Sequence, residues 1–394
     1  MSSVTSPRPT YLDYAASTPV DERVIEAMIP YWTDSFGNPS SVHTPGRRAR
    51  AAVDQARESI ADALRVNPQE IVFTSGGTEA ANLALSAAFR SGLPVAASRA
   101  EHEAVLKPLE AFESFGGRVH WLETSEYGAA VMPPLGQVMD FDGMIACMLV
   151  NNETGAYNSP ERIRRVFPSR TAIYFADSVQ ALAYGEVEPA VDTLDLFSLS
   201  AHKIGGPKGV GLLCNRSGIE LTPTLRGGAQ EAGRRAGTEN VAGIVGFAKA
   251  VELAKFGKAE RASYVRGLNT RLRRLLLDAF DDLIVVNTPP DPDAVPHILN
   301  IAFVDDEHPL DGEMILLNLD IEGVFVSSGS ACTSGSLKPS HVLLAAGLTE
   351  TAAATAVRFS LSHRTSEADI DYAVERLVEI HSRMARGRQQ RTTT

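Results

Sequence analysis

Ile173-Tyr-Phe-Ala-Asp-Ser178 and Leu194-Asp-Leu-Phe-Ser-Leu-Ser-Ala-His-Lys-Ile-Gly-Gly-Pro-Lys208 are two apolar runs that each end in polar residues. Runs of this length, rich in aromatic and branched side chains, read as buried strands. Working outward, further strand candidates lie at Glu70–Thr74, Val95–Ser98, Arg118–Leu122, Gly143–Val150, Ala172–Ala176, Leu194–Leu199 and Gly209–Cys214. Helical patterns fall between them, at Gly46–Leu64, Thr78–Arg90, His102–Phe115 and Pro160–Phe167. This alternation predicts an α/β fold: a mostly parallel mixed sheet flanked by helices. A long Ala-, Val- and Gly-rich helix over Thr238–Phe256 joins it to a second unit. There, helices at Ala259–Phe280, Gly312–Leu319 and Glu367–Arg383 and strands near Leu283–Val286 and Ile298–Phe303 predict a smaller α+β domain. The expected division is 17–258 for the large domain, with 1–16 and 259–394 forming the small one.

The 394 residues carry a formal net charge of -11. That balance argues against broad electrostatic binding to nucleic acid. No segment has the length of an apolar membrane span, and the N-terminus lacks a signal-peptide pattern. Cys147, Cys214 and Cys332 are widely separated, so neither a disulfide framework nor a metal site is expected, and a reducing, cytoplasmic setting fits. The last residues, from Arg383, read as a frayed basic tail.

Lys203 follows Asp177 by 26 residues, each at the end of a strand candidate. A buried lysine with a depressed pKa can form a Schiff base with an aldehyde, and a carboxylate can hold a protonated ring nitrogen. Together they suggest pyridoxal 5'-phosphate. Thr74-Ser-Gly-Gly-Thr-Glu-Ala80 follows a strand and opens a helix, so Gly77 and Thr78 can meet an anion. On its own that turn reads more readily as an ordinary strand–helix connection with a capping threonine, and it gains weight only beside Lys203 and Asp177. His102 can stack on a ring and exchange protons, or cap a helix. Asn152 can bond a phenolic oxygen or a carboxylate, or serve a turn. Gly205-Gly-Pro-Lys-Gly209 lacks the spacing of a nucleotide-binding loop. Gly227 to Asn240 is a polar, glycine-rich loop suited to an anion in its own or a partner's subunit, or to a plain surface role. Arg358 can clamp a carboxylate or hold a salt bridge.

Cys147 and Cys214 lie in apolar runs. Cys332 instead sits in Ser327-Ser-Gly-Ser-Ala-Cys-Thr-Ser-Gly-Ser336, where small residues leave a thiol exposed and mobile. It is the thiol expected to be reactive.

Read together with Tyr11–Pro19, Phe36-Gly-Asn-Pro-Ser40, Asn151-Asn-Glu153, Arg235-Ala-Gly-Thr238 and Arg358-Phe-Ser-Leu361, these motifs resemble the cysteine desulfurases of the iron–sulfur-cluster type. These are fold-type-I pyridoxal enzymes of the class-V aminotransferase family, and the cysteine string points to the subgroup with a mobile cysteine loop, here about 327–340. The resemblance implies that Lys203 holds the cofactor as a Schiff base, His102 stacks on its ring, and Asp177 holds the pyridine nitrogen. It implies that Asn152 and Gln180 contact the substrate side and the phenolic oxygen. Gly77, Thr78, Ser200 and His202 take the phosphate, and Thr238 reaches the phosphate of the partner in a homodimer. Arg358 takes the carboxylate of L-cysteine, and Cys332 attacks its sulfur, leaving alanine and a persulfide for a sulfur-acceptor protein. Gly77 stands where an alanine is common, an exchange expected to be tolerated. The C-terminal tail differs from the extension that docks an iron–sulfur scaffold, which leaves thio-modification of tRNA, DNA or cofactors open beside cluster assembly. Two rivals are a selenocysteine or cysteine-sulfinate lyase, which needs the thiol less, and a non-catalytic sulfur-pathway scaffold. An aminotransferase leaves the mobile cysteine without a purpose.

Overall fold

The computed structural model describes residues 9–130, 139–185, 191–304, 310–329 and 338–392. A seven-stranded sheet runs through the first two-thirds of the chain, in the order β2-β8-β7-β6-β5-β3-β4. Its strands are β2 (Ile71–Thr74), β3 (Val95–Ser98), β4 (Val119–Leu122), β5 (Met144–Ala146), β6 (Ile173–Asp177), β7 (Leu196–Ser200) and β8 (Gly211–Asn215). Neighbours are parallel from β4 through β7; β8 is antiparallel to both β7 and β2. Only β8 is therefore reversed, and the carboxyl ends of the other six share one edge. Ligands of open α/β sheets bind at such an edge.

Local sequence explains the helices that cover the sheet. Helix α2 (Thr44–Leu64) carries Ala49, Ala52, Val53, Ala56, Ile60 and Leu64 on one buried face, the spacing of an amphipathic helix. His43 Nδ1 caps its start by accepting from Gly46 N–H at 3.2 Å, and Arg65 ends it in the left-handed conformation. Phe175, Phe197 and Tyr174 are fully buried between sheet and helices. Each such side chain contributes about 2–3 kcal/mol by leaving water.

A second core gathers around the three-stranded antiparallel sheet β12-β10-β9: β9 (Ile284–Val286), β10 (Ile298–Phe303) and β12 (Val357–Ser360). Leu12 joins this core from the N-terminal segment, together with Leu268 and Leu272 of α7 (Lys258–Phe280) and Leu377 of α11 (Glu367–Thr392). Strand β1 (Thr10–Tyr11) pairs in parallel with β11 (Val324–Phe325). No described helix is long and apolar enough to cross a membrane.

Two expectations are corrected. The basic tail is not frayed from Arg383, because α11 continues to Thr392. Arg383 bonds Glu322 at 3.2 Å and Arg386 Nε donates to Ser382 O, and Arg, Gln and Ala all favour helix. Strand β5 ends at Ala146 rather than Val150. Beyond it, Cys147 and Leu149 still donate to Phe175 O and Asp177 O, but Asn151 N–H turns back to Ala156 O and breaks the ladder.

Candidate active site

The shared strand edge opens into a cavity of about 620 Å3. Asp177, the last residue of β6, is buried at its floor, and its Oδ1 accepts from Val179 N–H at 3.0 Å and Ser198 Oγ–H at 3.2 Å. Strand β7 ends at Ser200, and the helical turn Ala201–Lys203 then places His202 and Lys203. Lys203 Nζ donates to Ala15 O at 2.6 Å and Ala16 O at 3.0 Å. Burial, and then the nearby Arg358 charge, pull its pKa down to about 8, against the opposing pull of Asp177 and Asp13. A fraction of the amine is thus neutral near pH 7, as a nucleophile or base requires. Burial, Lys203 and Lys208 lower His202 to about 4, so its ring is neutral. His202 Nδ1 is buried with no partner among the described residues.

Gly77 and Thr78 begin helix α3 (Gly77–Ser91) and border the cavity, so first-turn N–H groups face it. A Cβ at position 77 would lie 2.7 Å from Val179 Cγ2, so glycine leaves room there that an alanine would fill. His102 caps helix α4 (Glu103–Ser114), its Nδ1 accepting from Ala104 N–H at 3.0 Å. The capping and cavity roles are therefore compatible, and when neutral the ring carries its proton on Nε2. Gln180 Nε2 donates to Ala15 O at 2.8 Å. Asn152 borders the cavity through the loop after β5.

Arg358, in β12, reaches this site from the second core. It is 4% exposed, pairs with Asp13 Oδ1 at 2.8 Å, and donates to Asn152 O at 2.7 Å. Its Nε has no partner among the described residues. Arg358 is thus in a structural salt bridge and also borders the cavity.

The structure therefore brings Gly77, Thr78, His102, Asn152, Asp177, Gln180, Ser200, His202, Lys203 and Arg358 to one cavity. Thr238 does not join them. It is exposed on the loop before helix α6 (Val241–Lys255), and Arg235 of that loop binds Glu79 of α3 at 2.9 Å. Cys332 lies outside the described residues.

The residues the sequence reading assigned no role are Asp13, Glu101, Glu153 and His341. Glu153 is buried, accepts from Ser340 Oγ–H, and packs on Gly329. Burial raises its pKa. His341 Nε2 donates to Glu101 O at 2.9 Å. Glu101 is itself buried, its Oε1 accepting from Met148 N–H at 2.9 Å and its Oε2 left without a partner among the described residues. Burial pushes its carboxyl well above the usual range, with Asp177 adding to the shift. An acid at the end of an apolar run is a weak signal; their partners are too distant in sequence for spacing to show. Among the described residues no cluster suits a metal ion.

The model of the aminotransferase class-V family matches residues 10–373. The cysteine desulfurase IscS of Dictyoglomus turgidum is 39% identical over 382 residues, 94% of this chain and 95% of that protein. A solved NifS-like protein is 31% identical with a TM-score of 0.86, covering 95% of this chain and 99% of its own. SspA, solved in complex with cysteine, is 32% identical with a TM-score of 0.74 over 91% of this chain and all of its own. With the lysine, the aspartate and the helix N-terminus converging on one cavity, the chain belongs to the class-V aminotransferase family and, within it, to the cysteine desulfurases.

Proposed function

We propose that this protein is a pyridoxal 5'-phosphate-dependent cysteine desulfurase that converts L-cysteine to L-alanine and carries the sulfur as a persulfide on Cys332. The observation that carries this reading is Lys203, half-titrated near pH 8 and set beside Asp177 in a cavity with a helix N-terminus at its end.

The residues present fit the cofactor. His202 Nδ1 is a buried polar atom in want of a partner, Thr78 offers an exposed hydroxyl, and the first turn of α3 offers N–H groups for a phosphate. Gly77 and Ser200 line the same end. Asp177 suits a protonated ring nitrogen, His102 supplies a flat ring, and Gln180 and Asn152 supply polar contacts at the ring oxygen and substrate side. When bound, the cofactor supplies an electron sink for the carbon bearing the substrate's amine.

The chain's own residues do the rest. Arg358 receives the substrate carboxylate, its fork already fixed by Asp13 and the Asn152 carbonyl. Lys203 takes and returns protons at the substrate carbon through Nζ. His102, with Nδ1 engaged, presents Nε2 as a proton donor or acceptor. The Cys332 thiolate attacks the substrate sulfur: the carbon–sulfur bond breaks, a sulfur–sulfur bond forms on Cys332, and a proton replaces sulfur on the carbon that becomes the alanine methyl. A sulfur-acceptor protein then takes the persulfide sulfur.

A homodimer completes the reading. Ile25, Ile29, Trp32, Phe36 and Val42 are large apolar side chains left exposed along one stretch of chain, which favours burial by a second copy. Thr238, outside its own cavity, then becomes available to the partner's phosphate. The two separate cores support a division near 258, with the N-terminal segment in the smaller unit. Cys147 and Cys214, buried free thiols, support a reducing cytoplasmic setting. The acceptor serves iron–sulfur assembly or thio-modification.

The test is sulfide release from L-cysteine with a thiol reductant present. Wild type is expected to be active and Cys332→Ser inactive, both keeping the yellow cofactor. Equal activity would replace this reading with that of a lyase.

A further inference from the structure

A second, smaller chamber of about 80 Å3 lies beside the main cavity. Val179, Gln180 and Lys203 border both spaces, so the lysine forms part of the wall between them. At roughly 30 Å3 per molecule, the chamber has room for two or three waters. Tyr184 and His297 line its interior, and His363, exposed to solvent, borders its outer end.

His297 is the informative residue. It is 3% exposed, and its Nδ1 has no partner among the described residues. A buried ring nitrogen left unpaired is destabilising, and a bound water removes that penalty. Burial drives the His297 pKa down to about 3, so the ring stays neutral and bonds water rather than attracting an anion. Its ring lies 4.9 Å from that of Tyr184, whose Oη accepts from His363 N–H at 3.1 Å and sits 3.5 Å from His363 Nδ1. Polar side chains thus line the chamber from the wall that Lys203 shares with the substrate cavity to His363 at the surface.

We propose that this chamber holds ordered water and is the route by which Lys203 exchanges protons with bulk solvent. The proposal rests on the reading of Lys203 as the proton-carrying base. When the amine takes the substrate's proton, the resulting ammonium gives one proton to chamber water and later regains one, with no net change. His297 is a positioning residue that orders the water without touching substrate.

Two measurements on the holoenzyme test it. A crystal structure is expected to show ordered water within hydrogen-bonding distance of His297 Nδ1; a dry chamber overturns the proposal. The second follows L-cysteine deuterated at its Cα and counts deuterium retained in alanine. Wild type is expected to lose most of the label to solvent. His297→Leu, and independently Ala183→Leu, which fills the chamber from another wall, are expected to raise retention severalfold with KM unchanged. His297→Gln, which can still bond water, is expected to match wild type. Unchanged retention in a filled variant that keeps the cofactor colour overturns the route; if His297→Leu fails to fold, Ala183→Leu decides. Failure of the desulfurase reading looks different: no alanine forms even in wild type, and the water density alone then decides.

Discussion

The floor of the cavity and its rim are built in opposite ways. Asp177, Ser200 and Lys203 on the floor come from two adjacent strands and the turn that follows one of them. The backbone of each is fixed by its own strand end, and Asp177 is held by bonds from Val179 and Ser198, while the Lys203 amine reaches across to Ala15 O and Ala16 O. On the rim, Arg358 meets Asp13 and Asn152 across sequence separations of 345 and 206, and Glu153 meets Ser340 across 187. The backbone of the floor is a property of one sheet, whereas the rim contacts of Arg358 with Asn152 and of Ser340 with Glu153 exist only when the two cores are docked. On the proposed function, the groups that move protons sit on the floor, and the arginine that would take the substrate carboxylate sits where the two units meet.

The largest effects are expected on the floor. Lys203→Ala is expected to abolish alanine formation, and Asp177→Asn to lower kcat by about 10²–10⁴-fold, the span a positioned acid or base commands. Asp177→Asn should unfold in urea near the wild-type midpoint, since Asp177 bonds only within the large unit, whereas Lys203→Ala also loses the bonds to Ala15 O and Ala16 O of the N-terminal segment. A floor variant with normal kcat would break the comparison.

At the rim the expected loss is one of binding and of docking together. Arg358→Ala removes one partner of a largely buried pair and leaves Asp13 uncompensated, at a cost of about 3 kcal/mol in stability. KM for L-cysteine should rise more than kcat falls. Asp13→Ala alone should also lower stability, and the double variant should cost less than the sum. Urea denaturation with steady-state kinetics reads both; additive losses would mean that the two residues do not act as a unit.

The same contrast sets what was legible in the sequence. Asp177 and Lys203 end apolar runs, so alternation of strand and helix placed both at one edge, and the glycine turn Thr74–Ala80 followed from its position between β2 and α3. The residue types of Arg358 and Asn152 were informative, but their mutual contact was not, because nothing local specifies which strand of the second core meets the loop after β5. Glu101 was assigned no role. Its significance comes from burial beside Asp177, a tertiary property. The tail after Arg383 was misread because charge and glycine suggested fraying, while Glu322 supplies a partner from another element.

Glu101 yields a smaller effect with a definite sign. Its folded pKa is raised above the ordinary 4.5, so between those values the folded state holds a proton that the unfolded state has lost. Stability from this group therefore falls as pH rises through that window, by at most about 1.4 kcal/mol per pH unit. Glu101→Gln keeps the shape and removes the titration. Its stability relative to wild type should improve steadily from pH 5 to pH 7, read by urea unfolding at each pH. A constant difference would show that the carboxyl titrates normally.

The smallest effect sharpens the comparison at the floor's edge. A Cβ at position 77 would come within 2.7 Å of Val179 Cγ2, closer than side-chain carbons approach one another. Val179 is the first turn after Asp177 and its N–H bonds the Asp177 carboxylate, so displacing it disturbs the floor through one contact. Gly77→Ala is expected to cost about 1–2 kcal/mol by overpacking, seen as a several-fold loss of cofactor affinity in a titration of the yellow absorbance. Val179→Ala opens the space that the new methyl needs, so the double variant Gly77→Ala/Val179→Ala should recover affinity. Recovery would establish that glycine at 77 and valine at 179 are a matched pair, a local solution of the kind the floor uses throughout. An undiminished affinity in Gly77→Ala alone would instead mean that the Val179 side chain turns aside at little cost, and that even the floor has slack where it borders the second chamber.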